Sequence, residues 1–247
     1  MSVSSEPCVG PLEPAAVLAV LSAACRADVE VFKPGNVSLR APGHGMSAQD
    51  FLLSAAVALP CLVDSGRGLG ERVHAAVVAT RDAVGCNTNL GILLLLAPLA
   101  EAALRPGSQD LRARLVSCLA EARAASAAPW LAAIRLAAPG GLGQSERFDV
   151  AAAENTGATL GDAMGYAAGR DRIAHQYQQD FEDVFEIGVK TIRQEHPGRA
   201  TLAAYLAFLT HFNDTHVVRK FGPARAEWVR AQAGPVAALA KACDNPR

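Results

Sequence analysis

Strand signals are missing from this chain. Aromatic residues make up only 5% of its 247 residues, β-branched runs are rare, and no segment alternates apolar and polar side chains convincingly. Sheets are built from those residues in that pattern, so the absence argues against an all-β or α/β architecture. An excess of one charge is missing too. Against 23 Lys and Arg stand 24 Asp and Glu, a net charge of −1, which gives no electrostatic reason to expect nucleic acid or an anionic membrane as a partner. The greasiest run, Gly91 to Ala100, stops at Glu101 and is too short to span a bilayer. Residues 1–15 have neither a basic head nor an apolar centre, so no secretion signal is read there. The six cysteines (8, 25, 61, 86, 118 and 243) contain no CxxC pair, and the six histidines (44, 74, 175, 196, 211 and 216) no HExxH. That argues against a structural zinc site. Cys25, Cys61 and Cys118 sit in apolar helix-like context and read as buried free thiols, which suits a reducing cytoplasm.

What is present is helix. Hydrophobic residues reach 51%, most of them alanine and leucine. Leu12 to Val29 repeats its apolar positions every three or four residues. Ser47-Ala48-Gln49-Asp50 resembles a capping box and opens a helix to about Val63. Further helices are expected over 71–84, 92–104, 109–125, 129–138, 159–169, 171–194 and 201–212. Pro197-Gly198 is taken as a break, and two shorter closing helices as divided near Gly234-Pro235. The expectation is one all-α domain over residues 1–247 with roughly ten helices. The alanine-rich stretch Pro235 to Ala242 suits packing on the core or on a second subunit, which leaves a homodimer open.

Four polar islands interrupt the helices: Lys33 to Val37, Gly85 to Gly91, Pro139 to Gly143, and Asn213 to Lys220. Between them they bring glycine, cations, amides, carboxylates and hydroxyls to helix boundaries, as a site for a phosphorylated ligand and a metal would. In the second, Asn87, Thr88 and Asn89 lie directly before a helix N-terminus, where unpaired N–H groups favour anions. An ordinary N-cap needs only one such residue. In the first, Lys33 would be either a point charge for phosphate or an ordinary surface lysine beside a Pro-Gly turn, with Glu30, three residues earlier, a candidate metal ligand or base and Asn36 a polar contact. His44, between Gly43 and Gly45, is either a ligand contact or a solvated loop histidine. Asp171 and His175, four apart, would share a helix face as metal ligands, an acid–base pair or a solvated pair. Asp162 and Asp149 are weaker acidic candidates. The fourth island is the densest. Asp214 and His216 can pair as acid and base or ligate a metal, and Arg219 and Lys220 can neutralise phosphates.

Taken in order, these segments resemble the triphosphoribosyl-dephospho-CoA synthase family. The matching pieces are Glu30-x-x-Lys33-Pro34-Gly35-Asn36-Val37, the His44 loop, Asp50-Phe51-Leu52-x-Ser54-Ala55, Asn87-Thr88-Asn89-Leu90-Gly91 and Asp214-x-His216-x-x-Arg219-Lys220-x-Gly222. They span about residues 22 to 222. The resemblance implies an all-helical fold and a magnesium-dependent reaction on ATP as substrate. In that family the 2′-hydroxyl of dephospho-CoA displaces adenine from the ribose of ATP, forming an α-linked triphosphoribosyl product. It implies Lys33, Arg219 and Lys220 around the phosphates and Asn36, His44, Asn87, Thr88 and Asn89 around the nucleotide. Glu30, Asp214 and His216 become the catalytic candidates, and Glu30, Asp171 and Asp214 those for the metal.

The citrate-lyase type of the family tends to carry Lys-Pro-Gly-Leu-Val and Asn-Thr-His-Lys-Gly. Here Asn36 stands for Leu, and Asn89-Leu90 for His-Lys, a form similar to a shorter branch met in methanogens and in bacteria that use tetrahydromethanopterin. Tetrahydromethanopterin holds a ribose 5-phosphate in α linkage to a ribitol hydroxyl, so ribosyl-5-phosphate transfer in its biosynthesis is an alternative, with ATP or phosphoribosyl diphosphate as donor. A metal-dependent nucleotide hydrolase and a non-catalytic helical binding protein are the alternatives outside transfer.

Overall fold

The computed structural model describes residues 10–43, 45–141, 147–150 and 157–242. Among them are twelve α-helices, one π-helical turn and no strand beyond three isolated bridges. Eight helices come first: α1 (Pro14–Glu30), α2 (Ala48–Leu62), α3 (Leu69–Val84), α4 (Leu90–Leu104), α5 (Leu111–Ala124), α6 (Ala128–Ala137), α7 (Leu160–Ala167) and α8 (Arg172–Gln178). The π-helical turn Val184–Val189 follows. Then come α9 (Lys190–Gln194), α10 (Pro197–His211), α11 (Thr215–Phe221) and α12 (Pro223–Ala242). The fold is a single all-α domain, and none of these helices is long and apolar enough to cross a membrane.

Local chemistry sets the boundaries. Ser47 and Asp50 form the capping box of α2: the Ser47 hydroxyl accepts from the Asp50 N–H, and the Asp50 carboxylate accepts from the Ser47 N–H at 2.7 Å. Donation from the Ser47 N–H, and from the Ser47 hydroxyl, holds the half-buried Asp50 carboxyl below its ordinary value of 3.8. Its stabilisation is therefore present above that value and lost as pH falls through the lower folded pKa.

Helix α3 lies against α2, α4 and α6, and α1 against α2 and α4. The core between them is aliphatic, with Leu59, Leu62, Val73, Leu93, Leu115 and Leu119 at 1% exposure or less. Trp130 of α6 packs edge-on to Tyr177 of α8, centroids 5.7 Å apart, and the Tyr177 hydroxyl donates to the Leu94 carbonyl at 2.6 Å. Gly70 lets α3 meet α6, since a Cβ there would lie 2.6 Å from Trp130 Nε1 and 2.7 Å from Pro129 Cγ. Gly70→Ala would gain up to about 1 kcal/mol in helix propensity, but the overlap costs about 1–3 kcal/mol. Net destabilisation is expected, read as a lower urea midpoint at unchanged m.

Three expectations need correction. Residues 171–194 are not one helix: the chain turns at Asp180 and Phe181 with φ of 49° and 60°, and continues as the π-helical turn and α9. Burial of Phe181 at 0% exposure and the Arg123–Asp180 ion pair at 2.7 Å hold this left-handed turn without glycine or proline. Pro197-Gly198 opens α10 instead of breaking the chain, with His196 as N-cap accepting from the Gly198 N–H. Gly234-Pro235 does not divide the end, because α12 runs through it on an exposed face where water can serve the freed carbonyl. Of the three thiols expected to be buried, Cys118 is, while Cys25 and Cys61 are half-buried; all are free.

Candidate functional site

The four islands, whose lining residues run from Gly35 to Lys220, meet around one cavity of about 1120 Å³. Gly35, Asn36 and Val37 contribute from the first, and Gly85 through Thr88 with Leu90 and Gly91 from the second. Pro139 and Gly140 come from the third, and Asp214, His216, Arg219 and Lys220 from the fourth. Helices α6, α7 and α8 supply much of the remaining wall. A drug-sized ligand typically fills ~300–1000 Å³, so there is room for a large phosphorylated substrate.

The fourth island opens and largely forms the short helix α11. Asp214 is the N-cap of α11, its Oδ1 accepting from the N–H groups of His216 (2.7 Å) and Val217 (3.2 Å). Oδ2 is not engaged in that cap. Arg219 reaches in three directions: to the Gly140 carbonyl at 3.2 Å, Asp171 Oδ2 at 3.3 Å and His216 Nδ1 at 3.1 Å. A guanidinium only donates, so Nδ1 accepts and the neutral imidazole keeps its proton on Nε2. The third island fits tightly on this helix. A Cβ on Gly141, whose φ is 75°, would lie 2.9 Å from the Arg219 carbonyl oxygen, and one on Gly140 would lie 3.2 Å from Lys220 Cε. Glycine is needed there for both backbone conformation and approach.

In the second island, Asn89 is the N-cap of α4, and the Asn87 side-chain oxygen accepts from the Leu90 N–H at 3.1 Å. The Thr88 hydroxyl donates to Ser54 Oγ at 2.6 Å, and Ser54, fully buried, donates to the Asp50 carbonyl. Asn89 is 7% exposed, accepts from the Thr80 hydroxyl at 3.2 Å and does not line the cavity.

The first island is arranged differently from the sequence expectation. Lys33 is 2% exposed, does not line the cavity, and donates to both the carbonyl and the carboxylate of Asp28. Glu30 is also off the cavity, exposed beside Arg26 at 3.6 Å. Asp28 lines it instead. At about 100° per residue, positions two apart on α1 point nearly opposite ways, so only one of the two carboxylates can face inward. Asp171 lines the cavity and His175 does not. Asp171 is the N-cap of α8, accepting from Ile173 and Ala174, and its second oxygen takes Arg219. Both oxygens are engaged, which counts against it as a metal ligand. Asp162 caps α7 with Thr159, while Asp149 lines the cavity. His44 lies outside the described residues. Arg81, in the last turn of α3, also lines the cavity. Neither Arg81 nor Lys220 has an ion-pair partner among the described residues. Sequence reasoning missed Arg81 because a cation there reads as an ordinary partner of the helix dipole.

Among the described residues no group of three or more His, Cys, Asp and Glu could hold a metal alone. A magnesium ion carried on polyphosphate needs only one or two protein carboxylates. The second oxygen of Asp214, which lines the same cavity as Lys220 and Arg219, suits that part.

Cys86 is half-buried on the cavity wall. Burial raises the Cys25 and Cys118 thiols to about 11, with Asp28 adding to the effect on Cys25. Among the four described cysteines, Cys86 should be alkylated first by iodoacetamide at neutral pH, and saturating ATP should slow it. Peptide mapping by mass spectrometry reads both, and faster labelling of Cys25 or Cys118 would contradict the placement.

An all-helical domain whose glycine loops and cations, two of them unpaired among the described residues, converge on one large cavity has the features that suit a polyphosphate-bearing substrate. The sequence profile of the ATP:dephospho-CoA triphosphoribosyl transferase family matches residues 14–246, and the chain belongs to that family. It is an enzyme, a transferase of the triphosphoribosyl-dephospho-CoA synthase type. No curated protein and no solved structure matches it.

Proposed function

We propose that the enzyme moves a triphosphoribosyl group from ATP to an alcohol acceptor, with release of adenine. The observation that carries this is the convergence of all four islands on one cavity. The acceptor oxygen attacks C1′ of the ribose, the C1′–N9 bond breaks, and adenine leaves with the electron pair and gains a proton. Formation of an α-linked product from a β-linked nucleotide is one inverting displacement. The carbon passes through an oxocarbenium-like state, so one group must take the acceptor proton and another must assist the leaving base.

Arg219, Lys220 and Arg81 hold the triphosphate, with Gly140 giving its oxygens close access. Asn36, Asn87 and Thr88 contact the sugar and the acceptor. Asp214 and His216 are the acid–base candidates, and the free oxygen of Asp214 also meets a magnesium ion if one travels with the triphosphate. That ion would supply charge neutralisation of the phosphates. Glu30 and Lys33 are left out of contact with substrate, and Asp28, which faces the cavity, takes the place given to Glu30.

A second acceptor is favoured by one feature. Where the citrate-lyase type of the family tends to carry His-Lys, this chain has Asn89 and Leu90, each 7% exposed, and so brings no cation there. Leu90, which of the two lines the cavity, makes the wall apolar there, and a less anionic acceptor than dephospho-CoA, such as a ribitol-bearing pterin precursor, suits it. Competition between the two acceptors under limiting ATP, with products identified by mass, tests this. A dominant ribosylated pterin precursor supports the second acceptor, and a dominant triphosphoribosyl-dephospho-CoA excludes it.

A further inference from the structure

Four of the chain's thirteen aromatic residues line the cavity: Phe51, Trp130, Phe148 and Tyr166. The core accounts for Trp130, which is 1% exposed and packed on Tyr177. Phe148 and Tyr166 stand apart. Both are half-buried and meet edge to face, with centroids 5.8 Å apart and planes at 66°. Arg170, also on the cavity wall, lies over the Tyr166 ring at 4.6 Å, and Arg147 lies 5.1 Å from the Phe148 centroid. Phe148 has φ of 52°, a left-handed backbone that aromatic residues seldom adopt and that persists only where its surroundings impose it. Arg170 precedes Asp171, with neighbouring Cα atoms about 3.8 Å apart, and Asp171 holds Arg219 at 3.3 Å. One peptide unit and one ion pair therefore join an aromatic–guanidinium wall to the cations at the phosphate end.

Granted the nucleoside-triphosphate donor proposed above, we infer that Phe148, Tyr166 and Arg170 form the seat of the donor's purine ring. Flat π-faces and a guanidinium plane stack on a purine, and the adjoining Arg219 and Lys220 take the charge of the same molecule. The wall holds the adenine of ATP before the C1′–N9 bond breaks and receives it as the leaving group. Recognition of base and phosphates is divided between adjoining parts of one cavity, so either can be removed without the other.

Calorimetric titration of the full chain with ATP and with inorganic triphosphate, both with magnesium, separates the two parts. Wild type should bind ATP at least about tenfold more tightly than triphosphate, since stacking on an aromatic side chain is worth roughly that much. Tyr166→Ala should weaken ATP about tenfold and leave triphosphate unchanged, while Tyr166→Phe keeps both. Arg170→Ala, at an exposed position, should lose part of the ATP affinity alone and carries the test if Tyr166→Ala does not fold. ATP affinity unchanged in both alanine variants would overturn the inference and leave the donor assignment standing. Equal loss for ATP and triphosphate would make the wall structural. Failure of wild type to bind either probe would instead sink the donor assignment on which the inference depends.

Discussion

Arg219→Ala is expected to lower the rate of adenine release from ATP about 10²–10³-fold, the scale seen when one preorganised charge donor is taken from a reacting site. The residue lies on the cavity wall, only 22% exposed at its side chain, with three anchors in different elements: Gly140, Asp171 and His216. Its charge is thus fixed before substrate arrives, and little reorganisation is needed during reaction. Removal also frees the Asp171 carboxylate to repel the triphosphate. Arg219→Lys should recover only part of the loss, because an ammonium cannot reproduce a planar fork that serves three partners. Saturating ATP should not restore the rate if the cation acts in the transition state. Activity within about fivefold of wild type would remove Arg219 from the phosphate site.

The largest effect on stability is expected at Asp28. The Lys33 ammonium is 2% exposed, and its hydrogen bonds go to the carbonyl and carboxylate of Asp28, the latter at 2.5 Å. Breaking a fully buried pair from one side costs about 3–5 kcal/mol. The Asp28 side chain is 42% exposed, so water softens the penalty and about 2–4 kcal/mol is the better figure for Asp28→Ala. Adding Lys33→Met removes the stranded charge and should recover most of the loss. Urea unfolding of the two single variants and the double variant gives the coupling directly. A coupling below about 0.5 kcal/mol would mean that the pair does not hold the end of α1.

Much of this site was legible in the chain because its pieces are punctuated. Glycine and proline mark the ends of helices, and polar residues clustered there stand out against alanine and leucine. All four islands line the cavity, and the capping box at Ser47 and Asp50 forms as read. What was not legible depends on helix phase and on pairing across the fold. Asp28 and Glu30 are two acids on one helix, and only the direction of α1 says which faces inward. Lys33 beside Pro34-Gly35 looks like a loop cation until its burial under Asp28 is known. Phe148, Tyr166 and Arg170 carry no local motif, and the wall exists only because α7 and the 147–150 segment come together. The turn at Asp180 and Phe181 was hidden for a related reason. The left-handed conformation there is held by a buried ring and an ion pair with Arg123, not by the glycine that sequence inspection looks for.

The measurement that tests transfer most directly is adenine release from ATP in magnesium buffer, with and without an alcohol acceptor, alongside the mass of the product. The expected result is adenine in equal amount to an acceptor heavier by one triphosphoribosyl group, and almost none when the acceptor is omitted. Adenine released at the same rate in water alone would make the protein a nucleotide hydrolase and contradict the transferase assignment.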